Sequence, residues 1–397
     1  MAGPLAGVRV LDLSQILLGP FATMLLGDLG AEVIKVERPG VGDIARGSGP
    51  VVRGVSTYFL SLNRGKKSIT LDLKSPEGVG IFLSLVDRAD ILVENFSVGT
   101  MEKLGLTYEI LRRRNPALIY AAGSGFGQTG PYAKKAALDV TVQAMGGIMS
   151  LTGQEKGPPV RPGASYGDIS AALFLSTAIL AALHERNKSG SGQYIDVGML
   201  DCQLTIQENA FARYLNTGEI PAALGTRHPV FTPFQVFQTK DGYVAVAVKG
   251  GMNDQWPLFC AAIGRVDIID DPRFADGWLR TQNYSELEPI MTPAFSAKTT
   301  SQWMAELEAA GIACGHVNNV AEAASDPQVH AREMIIDVEQ PGAGIFKTVN
   351  TPFKFSRTQG EVVGHAPELG EHTAEVLGDL LGMSPEEIAR LKDAHVV

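Results

Sequence analysis

Short β-branched runs alternate with helical stretches through the first half of the chain, and this alternation limits the fold more than any other feature. VRVLDLS (8–14) reads as a buried strand. PFATMLLGDLG (20–30) follows as a helix opened by Pro20 and closed by Gly30, since proline suits the first helical turn and glycine the left-handed exit. AEVIKVERP (31–39) is a second strand stopped by Pro39, and KSITLDL (67–73) a third. A helix over PEGVGIFLSLVDRA (76–89) and strands in ADILVENF (89–96) and ALIYAAGSG (117–125) continue the series. The expected class is therefore α/β, with a large open, mainly parallel, Rossmann-like sheet covered by helices on both faces.

A long helix behind Asp168 ends in HERNKSGSG, where Gly190 and Gly192 stop it, and a further helix reaches about Asn216. The character then changes. PFQVFQTKDGYVAVAV (233–248) reads as a hairpin around Asp241-Gly242. Helices are expected over Asp254–Ile263, Tyr284–Phe295 and Thr300–Ala310. The expected division is 1–225 for the first part of the large domain, 226–325 for a smaller α+β domain, and 326–397 for a return segment that completes the large one. That segment ends in a helical tail with a capping box at Ser384 and Glu387.

The formal net charge of −9 over 397 residues argues against an electrostatic nucleic-acid binder, while leaving room for local basic pockets. Three separated cysteines, Cys202, Cys260 and Cys314, fit neither a disulfide framework nor a zinc ribbon, so a reducing, cytoplasmic setting is expected. His365 and His372 flank Glu368 in a polar loop that reads as solvated surface, and no metal site is expected. MAGPLAGVRVLDLS lacks the regions of a signal peptide, and no uninterrupted apolar run reaches membrane-spanning length.

Four local patterns carry possible chemistry. Gly163-Ala164-Ser165-Tyr166-Gly167 matches the nucleophile elbow of serine hydrolases, but that elbow needs an apolar strand before the serine, and EKGPPVRPGA is not one. Gly125-Phe126-Gly127-Gln128-Thr129-Gly130 has the spacing of a dinucleotide fingerprint, yet Pro131 and Tyr132 follow where a helix should begin. Asp168 stands before a long apolar helix: there it is either a structural cap or, because the positive helix end favours the ionised form, a carboxylate nucleophile toward an activated acyl group. Arg38, Arg64, Lys66, Lys67, Lys74 and Lys103 follow or precede strand ends, where an open α/β sheet binds ligands, and cations there suit a phosphate-bearing one. Gly250-Gly251 would let the backbone bend over a ligand.

Taken in order, LDLSQILLGPFATMLLGDLGAEVIKVERP, NRGKKSITLDLKSPEG, DILVENFSVGTMEKLGL, SGFGQTGPY and GDISAALF closely resemble the class III CoA-transferase family, the CaiB/BaiF group that contains formyl-CoA transferase. The resemblance runs across residues 5–250. It implies that Asp168 is the catalytic aspartate, attacking an acyl-CoA thioester and passing through acyl-aspartyl and aspartyl-CoA intermediates. It implies CoA contacts from Gln15, Arg38, Leu71, Lys74, Asn95, Phe96 and Lys103, and an acid near the active site at Asp139. Gly250 and Gly251 fall on the family's glycine loop, although KGGMND is shorter than the glycine run of some members. Coenzyme A enters as a substrate thioester, with no permanently bound cofactor. The family's fold further implies a homodimer of interlocked rings, and no membrane or nucleic-acid partner is expected.

Arg46, in GDIARGSGPVVRG (42–54), is expected near the acyl pocket, where a cation would favour a short dicarboxylic acid. The alternative is the α-methylacyl-CoA racemase branch of the same superfamily, which carries a His-Asp pair. Here Leu138 stands before Asp139, and leucine cannot relay a proton. A non-catalytic CoA-binding protein would have lost Asp168 or the glycine loop, and neither is lost.

Overall fold

The computed structural model describes residues 3–358, 360, 362 and 364–397, with the side chain of Asn253 left aside. The chain forms two compact units, one comprising Met1–Ile148, Arg161–Glu219 and Gln328–Val397, the other Met149–Val160 and Ile220–Pro327.

The larger unit is built on six parallel strands: β1 (Arg9–Asp12), β2 (Glu32–Glu37), β3 (Lys67–Thr70), β4 (Ile91–Glu94), β5 (Ile119–Ser124) and β6 (Tyr194–Gly198). Their order is β3-β2-β1-β4-β5-β6, every pair parallel, which is the doubly wound order with its switch point between β1 and β4. The strands read as continuous apolar runs because both faces are covered. Leu11, Ile34, Ile69, Leu92 and Tyr120 face one core with Phe82, Leu85 and Leu377. Val10, Val33, Ile91, Val93 and Ala121 face another with Ala22, Leu26, Leu175 and Ile179.

Helix α1 (Leu18–Asp28) begins two residues before the expected Pro20, which occupies the first turn where no backbone donor is needed. Next come α2 (Thr57–Asn63), α3 (Pro76–Val86), α4 (Asp139–Met145), α5 (Tyr166–Ser189) and α6 (Met199–Thr205). By length and composition α5 could cross a membrane, but half of its most apolar window is buried within the protein. The chain's last segment joins this unit: the His372 amide donates to Ser68 O at 2.9 Å and the Asp72 amide to Val396 O at 2.8 Å.

In the smaller unit, β7 (Phe234–Gln238), β8 (Tyr243–Ala247) and β9 (Ala313–His316) form an antiparallel sheet. It packs with α7 (Trp256–Ala262), α8 (Tyr284–Phe295) and α9 (Thr300–Ala309) around Phe237, Trp256, Phe259, Leu287, Phe295 and Trp303.

Candidate active site

Parallel strands deliver their carboxyl ends to one edge, and the crevice at the switch point is where such sheets bind ligands. Gln15 leaves β1 and Asn95 leaves β4 at this point. The Asn95 side chain joins them, accepting the Gln15 amide at 2.8 Å and donating to Gln15 O at 2.8 Å. The next residue, Ile16, is left-handed (φ 68°), a costly conformation for a β-branched side chain. Buried Asp43 holds it, accepting the Ile16 amide at 3.1 Å, and is itself fixed by Lys35 Nζ at 2.9 Å. Gly19 is required just beyond, since a Cβ there would lie 2.1 Å from Ser14 Cβ.

Arg38 is exposed one residue beyond β2, and Lys74 is exposed in the turn after β3, where its amide donates to Asp72 Oδ1 at 3.0 Å. Leu71 is buried between them, its amide donating to Glu37 O at 2.8 Å. Phe96 follows β4 half-buried, and its amide donates to buried Glu94 at 2.8 Å. Lys103 is exposed on a short helix beyond it. Six of the seven expected CoA contacts, Gln15, Arg38, Leu71, Lys74, Asn95 and Phe96, thus follow the carboxyl ends of four adjacent strands.

Other cations are committed to the protein itself. Arg46 is not a free charge facing a substrate: its guanidinium grips Glu37 at 2.6 and 2.8 Å, donates to Pro367 O at 2.9 Å and lies 3.9 Å above the Phe59 ring. Lys66 is buried against Asp12 (2.9 Å), Thr23 Oγ1 (2.8 Å), Asn63 Oδ1 (2.9 Å) and Pro20 O (3.0 Å). Arg64 pairs with Asp28, and Lys67 with Glu32 and Glu375. The basic cluster read from 64–67 as ligand-facing is structural.

Asp168 lies in the first turn of α5, inside the helix rather than capping it. The helix runs opposite to the strands, because its far end is at the amino edge, where Arg186 Nη1 pairs with Asp90 at 2.9 Å just before β4. Asp168 therefore starts at the carboxyl edge, beside Asp139 at the start of α4. Asp139 supplies the cap: its Oδ1 accepts the amides of Gly167 (2.9 Å) and Asp168 (3.4 Å). Its Oδ2 accepts Gln143 Nε2 (2.6 Å) and Arg161 Nη2 (2.9 Å). Among the described residues, the Asp168 carboxylate accepts no hydrogen bond. Burial, reinforced by the charge of Asp139, pushes it up to about 7. The expectation that the helix end keeps Asp168 ionised is corrected accordingly, since Asp139 already occupies the positive end.

Ser165 precedes α5 and receives Arg161 Nη2 at 3.2 Å, with no strand before it. After β5, Gly127 and Gly130 have φ of 80° and 87° and lead into turns rather than a helix. Neither short pattern has the context its chemistry requires. Gly250 and Gly251 belong to the smaller unit, on an exposed tip whose base is tied by the Gln255 amide to Lys249 O at 2.9 Å and by Arg280 to Asp254 at 3.2 Å. No cluster of His, Cys, Asp and Glu suited to a metal occurs among the described residues, and His365 pairs with Glu371 at 2.9 Å.

The model of CoA-transferase family III matches residues 5–373. The chain belongs to this family. It is a class III CoA-transferase, an enzyme that transfers CoA between a thioester and a carboxylic acid. It is 41% identical over 387 residues to succinyl-CoA:mesaconate CoA-transferase of Haloarcula hispanica, covering 95% of this chain and 96% of that protein. Identity to human succinyl-CoA:glutarate CoA-transferase is 38% over 395 residues, covering 99% and 90%. The crystal structure of a CaiB/BaiF family protein from Brucella suis superposes with a TM-score of 0.84 at 37% identity, covering 96% of this chain and 100% of that one.

Two residues near the reacting end escaped the sequence reading. Tyr58, on α2, is pushed up to about 12 by burial and by the charges of Asp168, Asp43 and Asp139. Arg161 is paired to Asp139. Neither sits in a motif, and a lone cation in PPVRPG carries no local signal. Only the approach of α4 to the start of α5 reveals it.

Proposed function

We propose that the enzyme moves CoA from an acyl-CoA thioester to a short dicarboxylic acid through covalent intermediates on Asp168. The observation that carries this reading is a carboxylate at the carboxyl edge that accepts no hydrogen bond from described residues, while its neighbour Asp139 accepts four. An ionised Asp168 oxygen attacks the thioester carbonyl carbon. The C–S bond breaks, giving an acyl-aspartyl anhydride and CoA thiolate. The thiolate then attacks the Asp168 carbonyl carbon, forming aspartyl-CoA and releasing the donor acid. An acceptor carboxylate repeats the two steps in reverse, regenerating Asp168. Each step exchanges one acyl bond for another, so no external reductant, oxidant or proton source is needed. Water must be kept from the anhydride if CoA is to be transferred rather than the acyl group hydrolysed. Arg38, Lys74 and Lys103 would bind the nucleotide phosphates, Leu71 the adenine, and Gln15, Asn95 and Phe96 the thioester arm.

Dicarboxylate specificity is supported by the glutarate and mesaconate named for the relatives. The exposed apolar flank of α5, with Leu173, Phe174 and Leu180, suits burial against a second copy in a homodimer, which sedimentation of the purified chain tests. The racemase alternative loses ground at Leu138, exposed immediately before Asp139. Exchange is tested by mass spectrometry with succinyl-CoA and a panel of acids. Asp168→Ala is expected to abolish both exchange and the CoA adduct on the protein, and exchange surviving in that variant would sink the mechanism.

A further inference from the structure

A dicarboxylate acceptor brings two negative charges to the site. One carboxylate must reach Asp168, and the other needs a cation that is not already neutralised. Arg46, the residue the sequence suggests, is bound on two sides by Glu37 and has a side chain only 19% exposed. The buried Lys35 and Lys66 are held by Asp43 and Asp12.

Arg161 is also paired, with Asp139, but through Nη2 alone. Its side chain is 39% exposed. Nη2 donates to Asp139 Oδ2 at 2.9 Å and Ser165 Oγ at 3.2 Å, and Nη1 makes a long contact of 3.4 Å to Gly163 O. A guanidinium has five N–H groups. Among the described residues, Nε–H and one N–H of Nη1 therefore remain without a protein acceptor. The same Asp139 carboxylate that holds Arg161 on one oxygen receives the Asp168 amide on the other, at 3.4 Å. The guanidinium is thus anchored to the same carboxylate that receives the Asp168 backbone amide. A planar fork with unfilled donors is the group best suited to a second carboxylate.

We propose that Arg161 is the specificity-determining residue for dicarboxylic acids, binding the carboxylate of the acid that does not react, with Asp139 fixing its position. This rests on the reading of Asp168 as the acyl-accepting residue. The site takes a short, unbranched or lightly substituted diacid, and discriminates against an acid of equal length whose far end is neutral.

The test uses the full-length enzyme with succinyl-CoA as donor and glutarate, its monoamide or its monomethyl ester as acceptor; the monoamide removes the far charge at nearly constant size, and the ester adds a methyl group as well. Arg161→Met is expected to cut the preference for glutarate over the monoamide by roughly tenfold or more, mostly through the KM for glutarate. Arg161→Lys should retain part of the preference. Thermal unfolding of both variants separates misfolding from altered recognition. Equal loss with all the acceptors, restored equally by lysine, would mean that Arg161 merely supports Asp139, and the proposal would be overturned. A wild-type enzyme indifferent to the far charge overturns it too. Asp168→Asn is the separate control: if it exchanges CoA as the wild type does, the covalent reading fails whatever Arg161 does.

Discussion

Asp139 caps the helix that carries Asp168. Its Oδ1 takes the amides of Gly167 and Asp168 at 2.9 and 3.4 Å, so the positive helix end is satisfied by a residue from another segment. Asp168 is left with a burial cost and a like charge nearby, and both act in the same direction. A carboxylate poised to attack and readily reprotonated is one consequence. A specific dependence on pH is another.

If ionised Asp168 is the nucleophile, kcat/KM should fall on the acid side with a midpoint near 7, the value to which its carboxyl is pushed. Burial is the larger cause and Asp139 the second. Asp139→Asn removes the like charge, so the acid limb should move to lower pH while staying above the ordinary value of 3.8 because burial remains. The pH–rate profiles of wild type and variant with one donor–acceptor pair check this. An unmoved limb would show that Asp139 does not tune the nucleophile.

Gly167 is where the two acids depend on bare backbone. A Cβ on it would stand 2.9 Å from Asp139 Oδ1 and 3.1 Å from the Met199 methyl. Gly167→Ala must therefore push the Asp139 carboxylate away from the amides it caps. Alanine is otherwise favoured in a helix, so stability should change little while turnover falls by roughly 10- to 100-fold, as expected when catalytic groups shift by about 1 Å. Steady-state kinetics beside a thermal melt distinguishes this from unfolding.

What the sequence conveyed depended on how local each cause was. Five of the six strands were legible because both-face burial writes itself as unbroken apolar runs such as VRVLDLS and ADILVENF, whereas Tyr194–Gly198, with Asp196 at its centre, carries no such run. The left-handed Gly190 at the end of α5 was legible because glycine is the residue that suits a helix exit. The choice between cap and nucleophile at Asp168 stayed open in the local sequence because the residue that caps the helix, Asp139, stands 29 residues away. The partners of Lys66 and Arg46 were not legible because a lysine or arginine in sequence does not disclose which carboxylate neutralises it. For Lys66 that carboxylate is Asp12, 54 residues earlier.

That buried pair makes a strong prediction for stability. Both side chains are almost fully inaccessible, at 1% and 0%. Burial pushes the Asp12 carboxyl up, but Lys66, Lys35 and the hydroxyls of Ser14 and Thr23 together more than offset it and hold it well below the usual range. Lys66→Met leaves Asp12 charged with Lys35 as its remaining nearby cation, and is expected to destabilise the large unit by about 3–5 kcal/mol. Adding Asp12→Asn should recover much of the loss, since removing both charges is far cheaper than removing one. Urea unfolding of the two variants and the wild type measures the difference, and equal stabilities for single and double variants would count against a coupled pair.

Glu94 supplies the opposite sign. It is 4% exposed, with its carboxyl pushed up to about 7 from 4.5. Burial is the main cause, opposed by the Phe96 amide and the Tyr120 hydroxyl and reinforced by the charges of Glu102 and Asp196. An acid whose folded value is raised favours the folded state only while protonated. Its contribution is fully present below about 4.5, declines as pH rises, and is lost above about 7. The difference corresponds to roughly 3 kcal/mol at most. Glu94→Gln keeps an oxygen for the Phe96 amide, bonded at 2.8 Å in the wild type, and does not ionise. Relative to wild type, the variant should gain stability steadily between pH 5 and pH 7, about where the wild-type group titrates, and level off beyond. Melting temperatures of both proteins across that range give the answer, and a constant offset would mean that Glu94 carries its charge without cost.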